Sequence, residues 1–237
     1  MTKLSVNINK VATLRNARGG NVPDLIKIAV DLEKFGAEGI TIHPRPDERH
    51  IRRSDVFELK PVLKTEFNIE GYPSKDFLQL IKEIKPAQAT LVPDPPHVLT
   101  SNAGWNLREQ KTFLQDCIAE IHSYGVRSSV FIDPNPEMII LAKEIGTSRV
   151  ELYTEAYASN YSVDKVKAIA PYIAVANKAV ELGLGINAGH DLSLENLKYF
   201  AQNIPMLLEV SIGHALISDA LYFGLENTVQ LYLRQLK

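Results

Sequence analysis

Short apolar runs alternate with helix-period segments along the whole chain. Eight runs of β-type composition occupy residues 4–9, 39–44, 66–71, 89–94, 128–133, 150–155, 183–190 and 208–214. Between them, apolar residues recur every three or four positions, as they do on the buried face of an amphipathic helix. The pattern therefore predicts eight β-strands separated by helices.

Two of the helical segments carry clear start signals. Residues 23–35 open with Pro23, which suits a first helical position, and Gly36 follows as a stop signal. Residues 74–84 open with Ser74, whose hydroxyl can accept a hydrogen bond from the first turn. We expect Ser74 to be the N-cap of its helix.

The later segments differ in length. Residues 193–203 repeat the same format, with Ser193 as the expected N-cap. Residues 106–124 and 162–182 are longer than one barrel helix needs, so we expect additional helices there, used in contacts between subunits. Residues 94–105 form a long irregular connection, which is typical of a lid or a binding loop.

Eight strand–helix units in 237 residues favour a (β/α)₈ TIM barrel with extra helices, an α/β fold. A doubly wound open sheet is the alternative. Because no composition shift or linker divides the chain, we expect a single domain over residues 1–237. In such a barrel the C-terminal ends of the strands form one rim, and catalytic residues lie on that rim.

Composition excludes some classes of protein. The net charge is −2, whereas a nucleic-acid binder carries a basic excess. No apolar run approaches the ~20 residues that span a bilayer, and the N-terminal residues lack an apolar signal core. We expect a cytoplasmic protein without nucleic-acid or membrane partners. The one cysteine, Cys117, allows no intrachain disulfide and is expected to be a buried apolar residue.

Titratable side chains end the second, third and seventh predicted strands, where they would share the rim. His43 and His190 carry imidazoles, which can accept or donate a proton near neutral pH. Glu70 could also move protons if its surroundings shift its pKa. Each of the three could instead be an ordinary rim residue that contacts a loop or solvent.

The ends of the last two strands suggest a phosphate site. Gly189, within "NAGHDLS", permits close approach of the backbone to a ligand. Gly213 and His214, within "SIGHALIS", would place backbone N–H groups at a helix N-terminus, which suits an anion. In this fold the loops after strands seven and eight commonly hold a phosphate.

Arginines suggest a second anion site. In the long first loop, residues 9–24, we expect one of Arg15 and Arg18 to be structural and the other to reach a phosphate. Arg45 and His50 form another cationic cluster after the second strand. Two separate clusters predict two phosphate groups, or two phosphorylated substrates.

The same residues could also serve chemistries other than proton transfer. A metal-dependent sugar-phosphate isomerase or epimerase would use His43, Glu70 and His190 as ligands, but the chain has no close-spaced ligand pair. No dinucleotide or Walker motif occurs, so nucleotide cofactors are not expected. Lys10, at the end of the first strand, could form a Schiff base, although such a lysine more often binds solvent or phosphate. An inactive barrel would lack the strand-end groups that are present here.

Seven ordered motifs resemble the pyridoxine 5′-phosphate synthase family of the vitamin B6 pathway: "VNINKVATLRNARG", "GITIHPRPDERHI", "FNIEG", "LVPD", "SVFID", "INAGHDL" and "SIGHALI". The resemblance extends from Leu4 to the last helix. It implies a (β/α)₈ barrel with additional helices, assembled as an octamer built from dimers. It also implies condensation of 1-deoxy-D-xylulose 5-phosphate with 3-amino-2-oxopropyl phosphate, with neither a metal nor an organic cofactor.

The resemblance also implies residue roles. His43, Glu70 and His190 would be the acid/base residues. The aminoketone phosphate, or its counterpart in the product, would contact Asn7, Arg18, Asp191, Gly213 and His214. The deoxyxylulose phosphate would contact Asn9, Lys10, Arg45, His50 and Thr100.

Two positions depart from the family pattern. Many members have Asp-His where this chain has Asn9 and Lys10, which puts their side-chain contacts in doubt. Glycine is common where this chain has Asp191. We expect the backbone of Asp191 to contact the phosphate and its side chain to turn toward the start of the next helix, where a negative charge is favourable.

Overall fold

Eight parallel strands close into a barrel in the order of the sequence. The computed structural model describes residues 1–94 and 103–237. Its strands are Lys3–Asn7 (β1), Gly39–Ile42 (β2), Glu66–Gly71 (β3), Gln88–Leu91 (β4), Arg127–Ile132 (β5), Arg149–Leu152 (β6), Gly185–Ala188 (β7) and Leu207–Ile212 (β8). Since β8 pairs with β1, the predicted (β/α)₈ barrel is confirmed and the open-sheet alternative is wrong.

Ten helices lie in the described part of the chain. They are Asn9–Asn16 (α1), Leu25–Lys34 (α2), Arg53–Leu59 (α3), Lys75–Ile84 (α4), Lys111–Ser123 (α5), Pro136–Glu144 (α6), Glu155–Glu181 (α7), Leu197–Asn203 (α8), His214–Phe223 (α9) and Leu225–Gln235 (α10). None of these helices combines the length and the apolar character needed to cross a bilayer.

The extra helices do not lie where the sequence placed them. Within residues 106–124, all of them described, α5 is the one helix. Residues 162–182 belong to α7, which is kinked at Asp164, where φ is −156° and ψ is 91°. The additions to the eight strand–helix units are α1, α10 and the part of α7 that precedes the kink. Asn7 explains α1, because its side chain accepts a hydrogen bond from the backbone N of Asn9 at 3.0 Å and turns the chain from strand to helix.

Only one of the three predicted helix starts is correct. Ser74 is the N-cap of α4, and its side chain accepts from the backbone N of Phe77. The Pro23 prediction is wrong because Asp24 is the N-cap of α2. The start predicted at Ser193 is too early, because Asn196 is the N-cap of α8. Ser193 instead caps the turn before the helix: its hydroxyl accepts from the backbone N of Glu195 at 3.3 Å, and its backbone N donates to the side chain of Asn196 at 2.9 Å.

Long-range ion pairs show which face of each strand points into the barrel. Glu66 on β3 pairs with Lys3 on β1 and with Arg127 on β5, although β2 and β4 lie between these strands. These side chains must therefore cross the interior. Because successive strand residues alternate between faces, Asn7 and Glu70 share the inward phase of Lys3 and Glu66.

Apolar residues occupy the other face of each strand, beneath the helices. Ile40 and Ile42 on β2 and Ile69 on β3 are fully buried, whereas Thr41 points inward and bonds to Ser5 at 2.8 Å. Burying one such side chain contributes roughly 1.5–3 kcal/mol. The helix-facing side thus carries the hydrophobic core, which also includes Cys117 as predicted, and leaves the interior free for polar groups.

Candidate active site

The ends of β1, β2 and β3 hold three side chains together. The side-chain amide N of Asn7 donates to Oε2 of Glu70 at 3.3 Å, and Nδ1 of His43 lies 3.9 Å from the same oxygen. Oδ1 of Asn9 accepts from the backbone N of His43 at 2.9 Å. These contacts fix four of the predicted site residues in one buried corner of the rim.

Burial determines the charge of His43 and Glu70. It lowers the pKa of His43 well below the usual value, and the positive charge of Arg45 acts in the same direction. It raises the pKa of Glu70 to about 8, with a further contribution from the charge of Asp94. At neutral pH the pair is therefore a neutral imidazole beside a protonated carboxyl. The surroundings of Glu70 thus shift its pKa, mainly through burial and through neighbouring carboxylates.

His190 lies after β7 and has the opposite character. Burial alone would lower its pKa, but the hydrogen bond and the charge of Asp191 raise it by more, with help from Glu151. Oδ2 of Asp191 is 2.7 Å from Nδ1 of His190. The expectation that the Asp191 side chain turns to the next helix is therefore wrong. The two imidazoles of the rim therefore have pKa values shifted in opposite directions.

A third carboxyl, Glu151 on β6, was not among the predicted site residues. Its side chain is buried, and Oε2 has no hydrogen-bond partner within the described residues. Burial raises its pKa well above the usual value, and Glu70 adds to this shift. The signal that could have found it is the strand alternation, which gives "RVEL" one inward-facing acid between two apolar residues.

The predicted Arg45–His50 cluster has less positive charge than expected. Nη2 of Arg45 donates to Oδ2 of Asp94 at 2.8 Å, and both side chains are at most 5% exposed. Burial lowers the pKa of His50 to about 4, with a further effect of Arg45, so its ring is neutral. The His50 ring centroid lies 6.3 Å from that of His43. The anion donors here are thus one paired guanidinium and one neutral imidazole.

A cavity of about 280 Å³ opens beside these groups. Its lining includes His43, Arg45, Gly71, Ser74 and Asp94. Nη1 of Arg45 is buried and has no hydrogen-bond partner within the described residues. This volume and the open donor suit a small anionic ligand next to the acid/base pair.

One arginine of the first loop is structural, as predicted, and part of this loop forms α1. Arg15 is structural, because it is buried and binds both carboxylate oxygens of Asp55, at 2.6 and 2.9 Å. Arg18 is exposed. Lys10 is also exposed, and it lies in the first turn of α1 instead of at a strand end. Thr100 lies outside the described residues.

The glycines of the last two loops have different structural reasons. A Cβ on Gly189 would lie 1.9 Å from the carbonyl oxygen of Ser211 on β8. The absence of a side chain at Gly189 is therefore required by the neighbouring strand, and the predicted approach to a ligand stays a prediction. Gly213 caps α9, which begins at His214 as predicted. A Cβ on Gly213 would lie 3.1 Å from that of Asn7, so this helix start adjoins the acid/base corner.

We expect Gly189→Ala to destabilise the barrel by about 3 kcal/mol or more, because the added methyl group meets backbone that has no room to yield. Gly125→Ala is the matched control, since φ there is +76° but no atom lies within 4 Å of the added Cβ. The control should lose only about 1 kcal/mol. Urea unfolding of both variants measures the difference, and equal losses would contradict the packing argument.

The carboxylates and histidines do not group as metal ligands. Within residues 1–94 and 103–237, no three His, Cys, Asp or Glu side chains are placed to share one metal ion.

Comparisons with known proteins cover nearly the full chain. The family model described as pyridoxal phosphate biosynthesis protein PdxJ matches residues 4–237. The pyridoxine 5′-phosphate synthase of Bacteroides fragilis is 62% identical over 232 residues, which cover 98% of each chain. That of Flavobacterium johnsoniae is 60% identical over 237 residues and covers 100% of both chains.

Solved structures show the same fold at low identity. The 3-keto-L-gulonate-6-phosphate decarboxylase of Vibrio cholerae has a TM-score of 0.68 at 10% identity, covering 99% of this chain and 97% of its own. Phosphoribosyl anthranilate isomerase of Thermotoga maritima has a TM-score of 0.61 at 10% identity, covering 100% and 98%. At such identities the likeness concerns the barrel alone.

Proposed function

The chain belongs to the pyridoxal phosphate biosynthesis protein PdxJ family, and we propose that His43, Glu70 and His190 are the acid/base groups of its reaction. The reaction condenses 1-deoxy-D-xylulose 5-phosphate with 3-amino-2-oxopropyl phosphate and yields pyridoxine 5′-phosphate, inorganic phosphate and water. The observation that carries the proposal is the buried corner in which a neutral His43 lies 3.9 Å from the protonated Glu70.

Proton transfers dominate this chemistry. The amine attacks the sugar ketone, water and phosphate leave, and carbon–carbon closure forms the aromatic ring. A neutral His43 can accept the proton that the attacking amine loses, and a cationic His190 can donate a proton to an oxygen that leaves. Glu70 can first donate and then, as a carboxylate, accept. Holding both substrates in one pocket removes much of the entropic barrier to their encounter.

The two phosphates have separate proposed sites. The aminoketone phosphate would lie at the N-terminus of α9, where Gly213 and His214 offer backbone N–H groups beside Asn7. The sugar phosphate would use the open Nη1 of Arg45. The remaining proposed contacts follow the family pattern: Arg18 and Asp191 for the aminoketone, and Asn9, Lys10, His50 and Thr100 for the sugar.

The direct test is to incubate purified protein with both phosphorylated substrates and record the absorbance of a pyridine product. Product should form only when both substrates are present, and a chelator should not reduce the rate. Tightly bound stoichiometric metal, with activity lost on its removal, would favour the metal-dependent isomerase or epimerase instead. Consumption of both substrates without the appearance of a pyridine chromophore would contradict the proposed ring closure.

Arg45→Ala should raise the KM for the sugar phosphate by about tenfold and the KM for the aminoketone phosphate by less than about twofold. The reason is that Arg45 lines the cavity beside His43 and has a guanidinium nitrogen without a hydrogen-bond partner within the described residues, and tenfold corresponds to about 1.4 kcal/mol of lost binding. Steady-state kinetics with each substrate varied in turn measures both constants. Equal increases for the two substrates would refute separate phosphate sites.

We also propose a cytoplasmic homo-oligomer, an octamer built from dimers. An exposed apolar segment at the end of α9 supports self-association, because Leu221, Tyr222 and Phe223 are 76%, 86% and 50% exposed in the single chain. Light scattering of the purified protein measures the mass directly.

A further inference from the structure

Asp94 has no role in the reaction as proposed so far, yet it lies within the site. It follows β4, is 4% exposed, and pairs with Arg45 through a 2.8 Å hydrogen bond. Both residues line the cavity beside His43. A carboxylate in a phosphate site repels the ligand, so its presence there needs an explanation.

Stability is a poor explanation for this ion pair. Removing two charges from water costs about as much as their attraction returns, so a buried pair is often no more stable than apolar residues of the same volume. The pair is also incomplete, because Nη1 of Arg45 stays without a hydrogen-bond partner within the described residues. A pair that served packing alone would have no reason to leave a buried donor open.

Orientation explains the arrangement better. The guanidinium is planar and rigid, so a carboxylate on one nitrogen fixes the direction of the others. With Nη2 held by Asp94, the whole guanidinium has a fixed orientation beside the cavity that Arg45 and Asp94 both line. An arginine held in this way loses little conformational entropy when it binds a phosphate.

We propose that Asp94 is a positioning residue for the sugar phosphate, which it serves by fixing the orientation of the Arg45 guanidinium beside the cavity. The inference rests on the proposed role of Arg45 as a sugar-phosphate contact. It assigns Asp94 no contact with the substrate and no proton transfer.

The charge of Asp94 has a second consequence that a purely structural role lacks. Titratable and charged groups of several elements act on Glu70: His43 and Arg45 after β2, Asp94 after β4, Glu151 on β6 and Glu209 on β8. After burial, Asp94 contributes most to the raised pKa of Glu70. Neutralising Asp94 lowers that pKa, so the pH at which protonated Glu70 is lost must also fall.

The test is Asp94→Asn, which keeps an oxygen acceptor but removes the charge. We expect the KM for the sugar phosphate to rise about tenfold, the KM for the aminoketone phosphate to stay within twofold, and the alkaline limb of the rate to move to lower pH. Asp47→Asn is the matched control, because Asp47 pairs with Arg49 in the same loop but is 51% exposed. The control should leave both KM values within twofold.

Two further variants distinguish failure of the role proposed for Asp94 from failure of the phosphate site proposed at Arg45. If Asp94 acts through Arg45, adding Asp94→Asn to Arg45→Ala should change the KM for the sugar phosphate by less than twofold, a coupling that independent sites do not show. The double variant also removes the uncompensated cation that could unfold the single one. Additive losses, or an unshifted alkaline limb, would overturn the proposal for Asp94. If Arg45→Ala itself leaves the KM for the sugar phosphate unchanged, the proposed site for that phosphate fails instead.

Discussion

Alanine at His43 or at His190 should lower turnover by about 10²–10⁴-fold while the barrel stays folded. Both side chains lie on the rim, beyond the strands that carry the core, so their removal leaves the packing beneath the helices intact. Alanine provides no group that can transfer a proton beside Glu70, where His43 lies, or beside Asp191, where His190 lies. Turnover under saturating substrates and the melting temperature measure the two effects separately.

The two histidines should differ in their response to pH. Burial lowers the pKa of His43, which favours the neutral form that a base needs, whereas Asp191 raises the pKa of His190, which favours the cationic form that an acid needs. Asp191→Asn should therefore lower the pKa of His190, and the rate should fall at a lower pH than in the parent enzyme. It should leave the acidic limb, which reports protonation of His43, in place.

His122→Ala is the control for both alanine variants. His122 contacts Ser128 at the start of β5, at the end of the barrel opposite the rim. It should keep turnover within about twofold of the parent. Near-parental turnover in a folded His43→Ala or His190→Ala variant would remove that residue from the mechanism.

Hydrophobic periodicity was sufficient to predict the barrel. Each of the eight strands lies within two residues of its predicted start, because a strand buried on its helix-facing side must place an apolar residue at every second position. The run "GITIH" illustrates this: Ile40 and Ile42 face the helices, so Thr41 and His43 must face inward. The same alternation extended to "RVEL" would have identified Glu151.

Local signals failed where tertiary contacts compete with them. Ser193 has the right chemistry for an N-cap and makes capping contacts, but they close a separate turn, and α8 begins only after Asn196. Asp191 suits a helix start, but a neighbouring imidazole is a stronger partner for a carboxylate than a partial charge. Both alternatives depend on folded geometry that spacing in the chain does not contain.

Charge states were the least predictable part of the site. Sequence spacing identified Glu70 and His43 as titratable groups but not the direction of their shifts, and burial moves their pKa values in opposite directions. The carboxylates that act on Glu70 come from strands far away in the chain, so only closure of the barrel brings them together. Candidate residues could therefore be predicted, but which of them donates and which accepts a proton could not.

Glu70→Gln should lower turnover by at least about tenfold, a barrier increase of ~1.4 kcal/mol or more. The amide has nearly the shape of the protonated carboxyl and can keep the contact with Asn7. It cannot donate a proton and then take one back. A smaller loss would mean that Glu70 only anchors a substrate hydroxyl, and recovery of activity on addition of metal would mean that it is a ligand.

The same variant should be more stable than the parent at alkaline pH. A carboxyl whose pKa is about 8 in the folded state and near 4.5 in the unfolded chain binds more protons when folded, so folding loses stability as the pH rises from 4.5 toward 8. Glutamine cannot ionise, so Glu70→Gln should match the parent at pH 5 and melt at a higher temperature at pH 8.5.

Glu66 on the same strand provides the opposite control. Burial alone would raise its pKa, but hydrogen bonds from Lys3 and Arg127 lower it to about 2. The contribution of Glu66 to folding stability is therefore present above pH 4.5 and is lost as the pH falls toward 2. Glu66→Gln should lower the melting temperature at neutral pH and leave turnover unchanged. Melting curves of both variants and the parent from pH 5 to 8.5 decide the matter: if the melting temperature of Glu70→Gln does not increase relative to that of the parent as the pH rises, the protonated carboxyl on which the proposed role of Glu70 depends is absent.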